Sequence, residues 1–173
     1  MMEAIDWFVE GGWELAQLLG PPVLFVIFII KGALVGKIFP TSLFLPGYVV
    51  FSGASIPMAL VIVVVTAGGY IIGQYIVYTG SRRYGRSYVS RLPYTTVNPD
   101  SDKFDRFDDW FTEYGGISIF VLNFVPWVRG LVTIPAATSS YSPFWYVFHT
   151  TTSTMLYHGI YVAMALAGVE AVT

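Results

Sequence analysis

Every carboxylate of this chain falls in one of three places, Glu3 to Glu14, Asp100 to Glu113, or Glu170, and the intervals Leu15 to Pro99 and Tyr114 to Val169 contain none. No other feature constrains the fold as strongly. With 55% hydrophobic and 12% charged residues over 173 positions, and a mean hydropathy of +0.63, such intervals are too apolar for an ordinary soluble domain. They read as one polytopic, all-α membrane domain, residues 1–173, integral to the cytoplasmic (plasma) membrane. The opening MMEAIDWFVEGGWE is acidic where a secretory signal carries a basic segment, so no cleaved signal peptide is expected. The absence of cysteine excludes disulfides, thiolate catalysis and Cys-ligated metals. The basic residues between Arg82 and Arg106 are interleaved with acids, which argues against a nucleic-acid surface.

The apolar residues of Glu3 to Leu19 recur in a rough helical pattern broken by Gly11 and Gly12, which suggests an interfacial helix anchored by Trp7 and Trp13. The run Val23 to Ile30 meets Lys31, Gly32, Gly36 and Lys37 before it reaches the ~20 residues a crossing needs. Pro40, Pro46 and Gly47 follow, so Pro22 to Ser55 is expected to be a re-entrant hairpin with its turn between about Lys37 and Gly47. Met58 to Thr79 is long enough for a full crossing, and its Gly69 and Gly73 predict close packing against a neighbouring helix. Gln74 lies near that face as a packing amide or a polar lining residue.

Six of the nine basic residues lie in the connection Ser81 to Glu113, which the positive-inside rule makes cytoplasmic. Within it Phe104, Phe107, Trp110 and Phe111 recur opposite Asp105, Asp108 and Asp109, predicting a second interfacial amphipathic helix.

Phe120 to Ala137, FVLNFVPWVRGLVTIPAA, then places Arg129 among Pro126, Gly130 and Pro135 in an otherwise apolar run. A segment that enters the bilayer and turns back needs such breakers at its tip. An ionisable residue there suggests a site, although a cation snorkelling to the headgroups from a short helix would also fit. Pro143 opens a second stretch of crossing length. The two halves, about 1–80 and 116–173 around the connection 81–115, therefore follow one plan: interfacial helix, re-entrant hairpin, spanning helix. One crossing separates the hairpins, so they enter from opposite faces, as in inverted-repeat transporters.

Three segments carry a resemblance to a known family. They are Leu45-Pro46-Gly47 with Ser52-Gly53-Ala54, the stretch Gly73 to Arg86 (GQYIVYTGSRRYGR), and Phe124-Val125-Pro126-Trp127-Val128-Arg129 with Pro135 and two alanines. In this order and spacing they resemble the DedA (VTT-domain) membrane proteins. The resemblance implies paired re-entrant hairpins and movement of lipids, including polyprenyl-phosphate carriers, often driven by proton motive force. The chain departs from the family pattern at Asn123, where a second arginine is common, and at Gly36, Tyr48 and Gln74, where acids are common.

A lipid phosphate near the bilayer centre needs positive charge and hydrogen-bond donors. Arg129 supplies a permanently charged fork, and the arms starting near Gly130 and Gly47 are expected to add helix N-termini. The expected substrate-binding set is Arg129, Asn123, Pro126, Trp127, Gly130, Pro46, Gly47 and Tyr48, with Gln74 and Lys37 as polar lining. His149 and His158 are the side chains in the apolar spans with an unperturbed pKa near neutrality, so a proton carrier would be one of them. Nine residues apart, they face different directions, and without a carboxylate they make no metal site. The spans hold no nucleophile with its base, so neither an enzyme nor a cofactor is expected. The leading expectation is a flippase for an anionic lipid such as a polyprenyl phosphate or phospholipid, its partners being membrane lipids and, compatibly, further copies of itself. The alternative is a proton- or ion-coupled small-molecule transporter.

Overall fold

The computed structural model describes residues 20–33, 41–90, 102–125, 129–139 and 141–170. Among these, regular structure is helical throughout: α1 (Pro21–Gly32), α2 (Thr41–Phe51), α3 (Ile56–Tyr84), α4 (Ser87–Ser90), α5 (Asp102–Tyr114), α6 (Gly116–Leu122), α7 (Thr133–Thr138) and α8 (Pro143–Glu170). The all-α expectation holds. The interfacial helix expected over Glu3 to Leu19 lies outside the described residues.

Helix α3 begins with Pro57 in its first turn, where the missing N–H costs no bond, and ends at Gly85, whose positive φ and N–H to the Ser81 carbonyl close the last turn. Arg82 and Arg83 sit at its C-terminus, where cations oppose the helix dipole. Its 29 residues exceed the expected Met58 to Thr79, because Gly80 does not stop the helix and Gly85 does. Among the described residues it is the one helix long and apolar enough to cross a membrane by length and composition. Helix α8 is nearly as long, at 28 residues, but hydroxyls and the His158 imidazole occupy much of its buried face.

Glycine decides how α1 meets α3. A Cβ on Gly73 would lie 2.6 Å from the Ala33 nitrogen and 2.7 Å from the Gly32 carbonyl carbon, and would also strike the Ile29 carbonyl oxygen. A Cβ on Gly69 would strike the Phe25 carbonyl. Backbone therefore packs on backbone, as Gly69 and Gly73 predict.

The proline-glycine pair of the first hairpin is placed differently from expectation. Helix α2 starts at Thr41, so Pro46 and Gly47 lie inside it and not at a turn. Pro46 removes one helix hydrogen bond, a loss the remaining bonds and the buried packing of Leu45, Tyr48 and Val49 outweigh.

The helix contacts follow a symmetric scheme. Helix α1 packs on α3 and α6 on α8, while α2 crosses to α8 and α7 crosses to α3; α3 and α8 pack on each other. Exchanging α1, α2 and α3 for α6, α7 and α8 leaves this list unchanged. Helix α5, expected from its amphipathic pattern, packs on α6 and α7, with Phe111 buried. Arg86 pairs with Asp105 at 3.0 Å and with Asp108, tying the end of α3 to α5.

Candidate functional site

Arg129 occupies the turn before α7, its N–H bonded to the Val125 carbonyl at 3.0 Å. Gly130 follows with φ +88°, and a Cβ there would lie 2.6 Å from Gln74 Nε2 and 3.2 Å from the Tyr70 hydroxyl. Only glycine combines that backbone conformation with so close an approach to α3. The turn delivers the guanidinium between two rings: its carbon lies 4.1 Å from the centroid of Tyr70 on α3 and 4.1 Å from that of Tyr157 on α8. Cation–π attraction to both rings holds it in place.

The edges of the guanidinium are less well served. Nη2 lies 3.4 Å from His158 Nε2, while Nε and Nη1 are buried with, among the described residues, only the Tyr70 and Tyr157 side chains as polar neighbours and make no well-formed hydrogen bond. Arginine only donates, so His158 Nε2 accepts. The imidazole proton then sits on Nδ1 and is donated to Thr66 Oγ1 at 3.0 Å, while the Thr66 hydroxyl donates to the Ile62 carbonyl at 2.7 Å. His158 is fully buried, edge-on to Phe28 and Tyr70, with ring centroids 5.2 and 6.2 Å away. Lys31, in the last turn of α1, places its ammonium 5.5 Å from the Phe28 ring, and its charge reaches His158 together with that of Arg129. The sequence intervals that supply these residues, Leu15 to Pro99 and Tyr114 to Val169, contain no carboxylate. A permanently charged guanidinium beside Lys31 and a neutral imidazole makes a site that can hold an anion, with the Nε and Nη1 edges of Arg129 turned to donate to it.

Gln74 binds four helices together one turn beyond Tyr70. Its Nε2 donates to the Gly32 carbonyl at 2.5 Å, and its Oε1 accepts from Thr133 Oγ1 and, at 3.4 Å, from the Tyr146 hydroxyl. Asn123 is buried at the end of α6 and donates from Nδ2 to Ser153 Oγ at 2.9 Å, leaving Oδ1 without a partner.

The structure thus gathers Arg129, Gly130, Gln74 and His158 and adds Asn123 on the same side of α8. Tyr48 packs instead among Leu24, Phe28, Leu45 and Val162, and Pro46 and Gly47 lie in the helix that carries it. The arms begin at Thr41 and Thr133, so the first starts well before Gly47, while the second starts near Gly130, three residues after it. His149 stacks on Trp145 beside Gly116, away from Arg129. Pro126, Trp127 and Lys37 lie outside the described residues. Tyr70, Tyr157, Thr66 and Lys31 are site residues outside the set expected from the sequence. A signal was present: Thr66, Tyr70 and Gln74 recur at four-residue spacing on one face of an apolar helix, and Lys31 has no acid within its interval.

A family model described as the VTT domain matches residues 26–166. The chain belongs to the DedA family. That range contains every residue of the Arg129 cluster, so the site lies wholly within the DedA-family domain. The resemblance carried by the Pro46, Gly73 and Pro126 segments is thereby borne out, and with it membership of a family of membrane proteins. Comparison with curated proteins and with solved structures gives no match.

Proposed function

We propose that this DedA-family protein is a lipid transporter that translocates an anionic lipid headgroup, a polyprenyl phosphate or a phospholipid, through the site at Arg129. The observation that carries the reading is the guanidinium itself. It lies against Tyr70 and Tyr157, with buried Nε and Nη1 having no polar neighbour but these tyrosines, in sequence intervals that hold no carboxylate. An arginine at the centre of a membrane helix costs ~2.5–3.5 kcal/mol on the insertion scale, and an anionic ligand offsets that cost. The proposed arrangement is polytopic, with α3 and α8 as crossings, α1–α2 and α6–α7 as re-entrant hairpins related by an inverted repeat, and the loop Ser81 to Glu113 cytoplasmic.

Helix lengths support the hairpins. At 12, 11, 7 and 6 residues, none of the four arms reaches across a bilayer. The exchange-symmetric packing of the two halves supports the repeat. His158 as a proton carrier would require Arg129 to withdraw first, since Nε2 already accepts from it.

The test is headgroup translocation in proteoliposomes holding a fluorescent polyprenyl phosphate or phospholipid. Arg129→Ala is expected to lower the rate at least tenfold and Arg129→Lys to retain a fraction of it. Wild-type rates for Arg129→Ala would remove this residue from the mechanism. A soluble cation driven by an imposed pH gradient while lipids stay in place would favour ion-coupled transport.

A further inference from the structure

The buried face of α8 changes character at Arg129. From its start, the buried residues are Tyr146, Thr150, Ser153, Thr154, Tyr157 and His158, each with a polar atom; the next two are Val162 and Ala165. Helix α3 runs antiparallel and repeats the division. From the basic loop inward it buries Ser81, Tyr78, Gln74, Tyr70 and Thr66, with small or apolar residues between them, and beyond Thr66 only Ile62 and Ala59. On the far side of Thr66 and His158, α1 and α2 add Leu24, Leu45, Tyr48 and Val49 to a cluster that is apolar but for the tyrosine hydroxyl, whereas the cluster at the basic-loop end sets the hydroxyls of Tyr78 and Tyr146 among Phe111, Ile119, Leu122 and Val132.

The polar side is also where partners are missing. Thr154 Oγ1, Asn123 Oδ1 and Ser81 Oγ are buried without a hydrogen-bond partner, and Thr150 Oγ1 has only the Tyr146 hydroxyl beside it, at relative exposures of 1% or less for their residues. Leaving a buried polar atom unsatisfied costs about 1–3 kcal/mol, so a run of such atoms ending at the Arg129 guanidinium calls for water or a polar ligand beside them. Packing hydroxyls would instead bond their own helix carbonyls, as Thr66, Thr152 and Ser153 do.

We infer that the polar face of α8 is a one-sided aqueous path: water reaches Arg129 from the end that carries the basic loop, and the apolar cluster beyond His158 closes the other end. The lipid phosphate uses the same path, a step that rests on the function proposed above.

The chain has no cysteine, so single cysteines report water access directly. Thr150→Cys, Thr154→Cys, Val162→Cys and the lipid-facing Thr152→Cys are each reconstituted in vesicles of known orientation. They are then treated with a charged, membrane-impermeant methanethiosulfonate from one side at a time. The expected result is reaction at Thr150→Cys and Thr154→Cys, from the basic-loop side, at least tenfold faster than at Val162→Cys or Thr152→Cys. Equal rates at all four positions, or equal rates from both sides, would overturn the path. Asn123→Cys gives a second report from α6 should either threonine variant fail to fold, and its failure to react faster than Val162→Cys would count against the path equally. Including a polyprenyl phosphate in the vesicles is expected to slow labelling at Thr154→Cys. One-sided labelling that the lipid leaves unchanged upholds the path and overturns the lipid-phosphate reading alone.

Discussion

Alanine at Gly73 and at Gly68 should move stability in opposite directions, although both lie five residues apart in α3. Either substitution removes backbone freedom from the unfolded chain and favours the helix by up to ~1 kcal/mol. At Gly68 the new methyl would meet only Phe25 Cε2, at 3.7 Å, an ordinary contact. At Gly73 it would meet the α1 backbone, with the Ala33 nitrogen at 2.6 Å and the Gly32 carbonyl carbon at 2.7 Å. Backbone cannot rotate aside, so α1 must move away from α3, and overpacking of this kind costs typically ~1–3 kcal/mol. Taking the upper end, Gly73→Ala is less stable than the parent by ~2 kcal/mol after the helix gain, and less stable than Gly68→Ala by ~3. For a chain of this size 1 kcal/mol moves the midpoint by ~2–4 °C, so the two variants should differ by ~6–12 °C. Thermal unfolding in detergent, followed by fluorescence of the five tryptophans, measures it. A Gly73→Ala midpoint at or above that of Gly68→Ala would falsify the backbone-on-backbone account of the α1–α3 contact.

Other expectations follow from the polar contacts. Gln74→Leu removes the bonds to the Gly32 carbonyl and to Thr133, and should lower stability by ~1–3 kcal/mol at the ~0.6–1.7 typical of membrane hydrogen bonds; the same unfolding assay reads it. Tyr157→Leu takes away one of the two rings holding Arg129 and should weaken binding of a lipid phosphate ~2–30-fold, the equivalent of ~0.5–2 kcal/mol, measured by native mass spectrometry titration. If Tyr157→Leu binds as the parent does, the clamp does not set the affinity. Arg86→Ala breaks surface pairs with Asp105 and Asp108 and should change the midpoint by no more than the equivalent of ~1 kcal/mol; a larger fall would assign that pair a role in holding α5 to α3.

Much of this molecule is legible in one dimension because lipid enforces simple rules. Intervals without carboxylates marked the apolar helices, Pro57 and Pro143 marked the starts of the two longest, and Gly69 and Gly73 marked a close contact. Arg129 stood out because an unpaired charge in such an interval needs a reason. Tertiary structure decided what surrounds it. Tyr70, Thr66, Lys31 and His158 come from three helices, and the geometry that lets Arg129 lie 4.1 Å from two rings depends on a glycine turn meeting α3. Pro46 and Gly47 illustrate the converse, since local preference pointed to a turn while burial of Leu45, Tyr48 and Val49 kept them in a helix. Periodicity names the face a residue occupies. Which faces meet, and therefore which buried hydroxyls and N–H groups go without partners beside Arg129, is settled only when the helices pack.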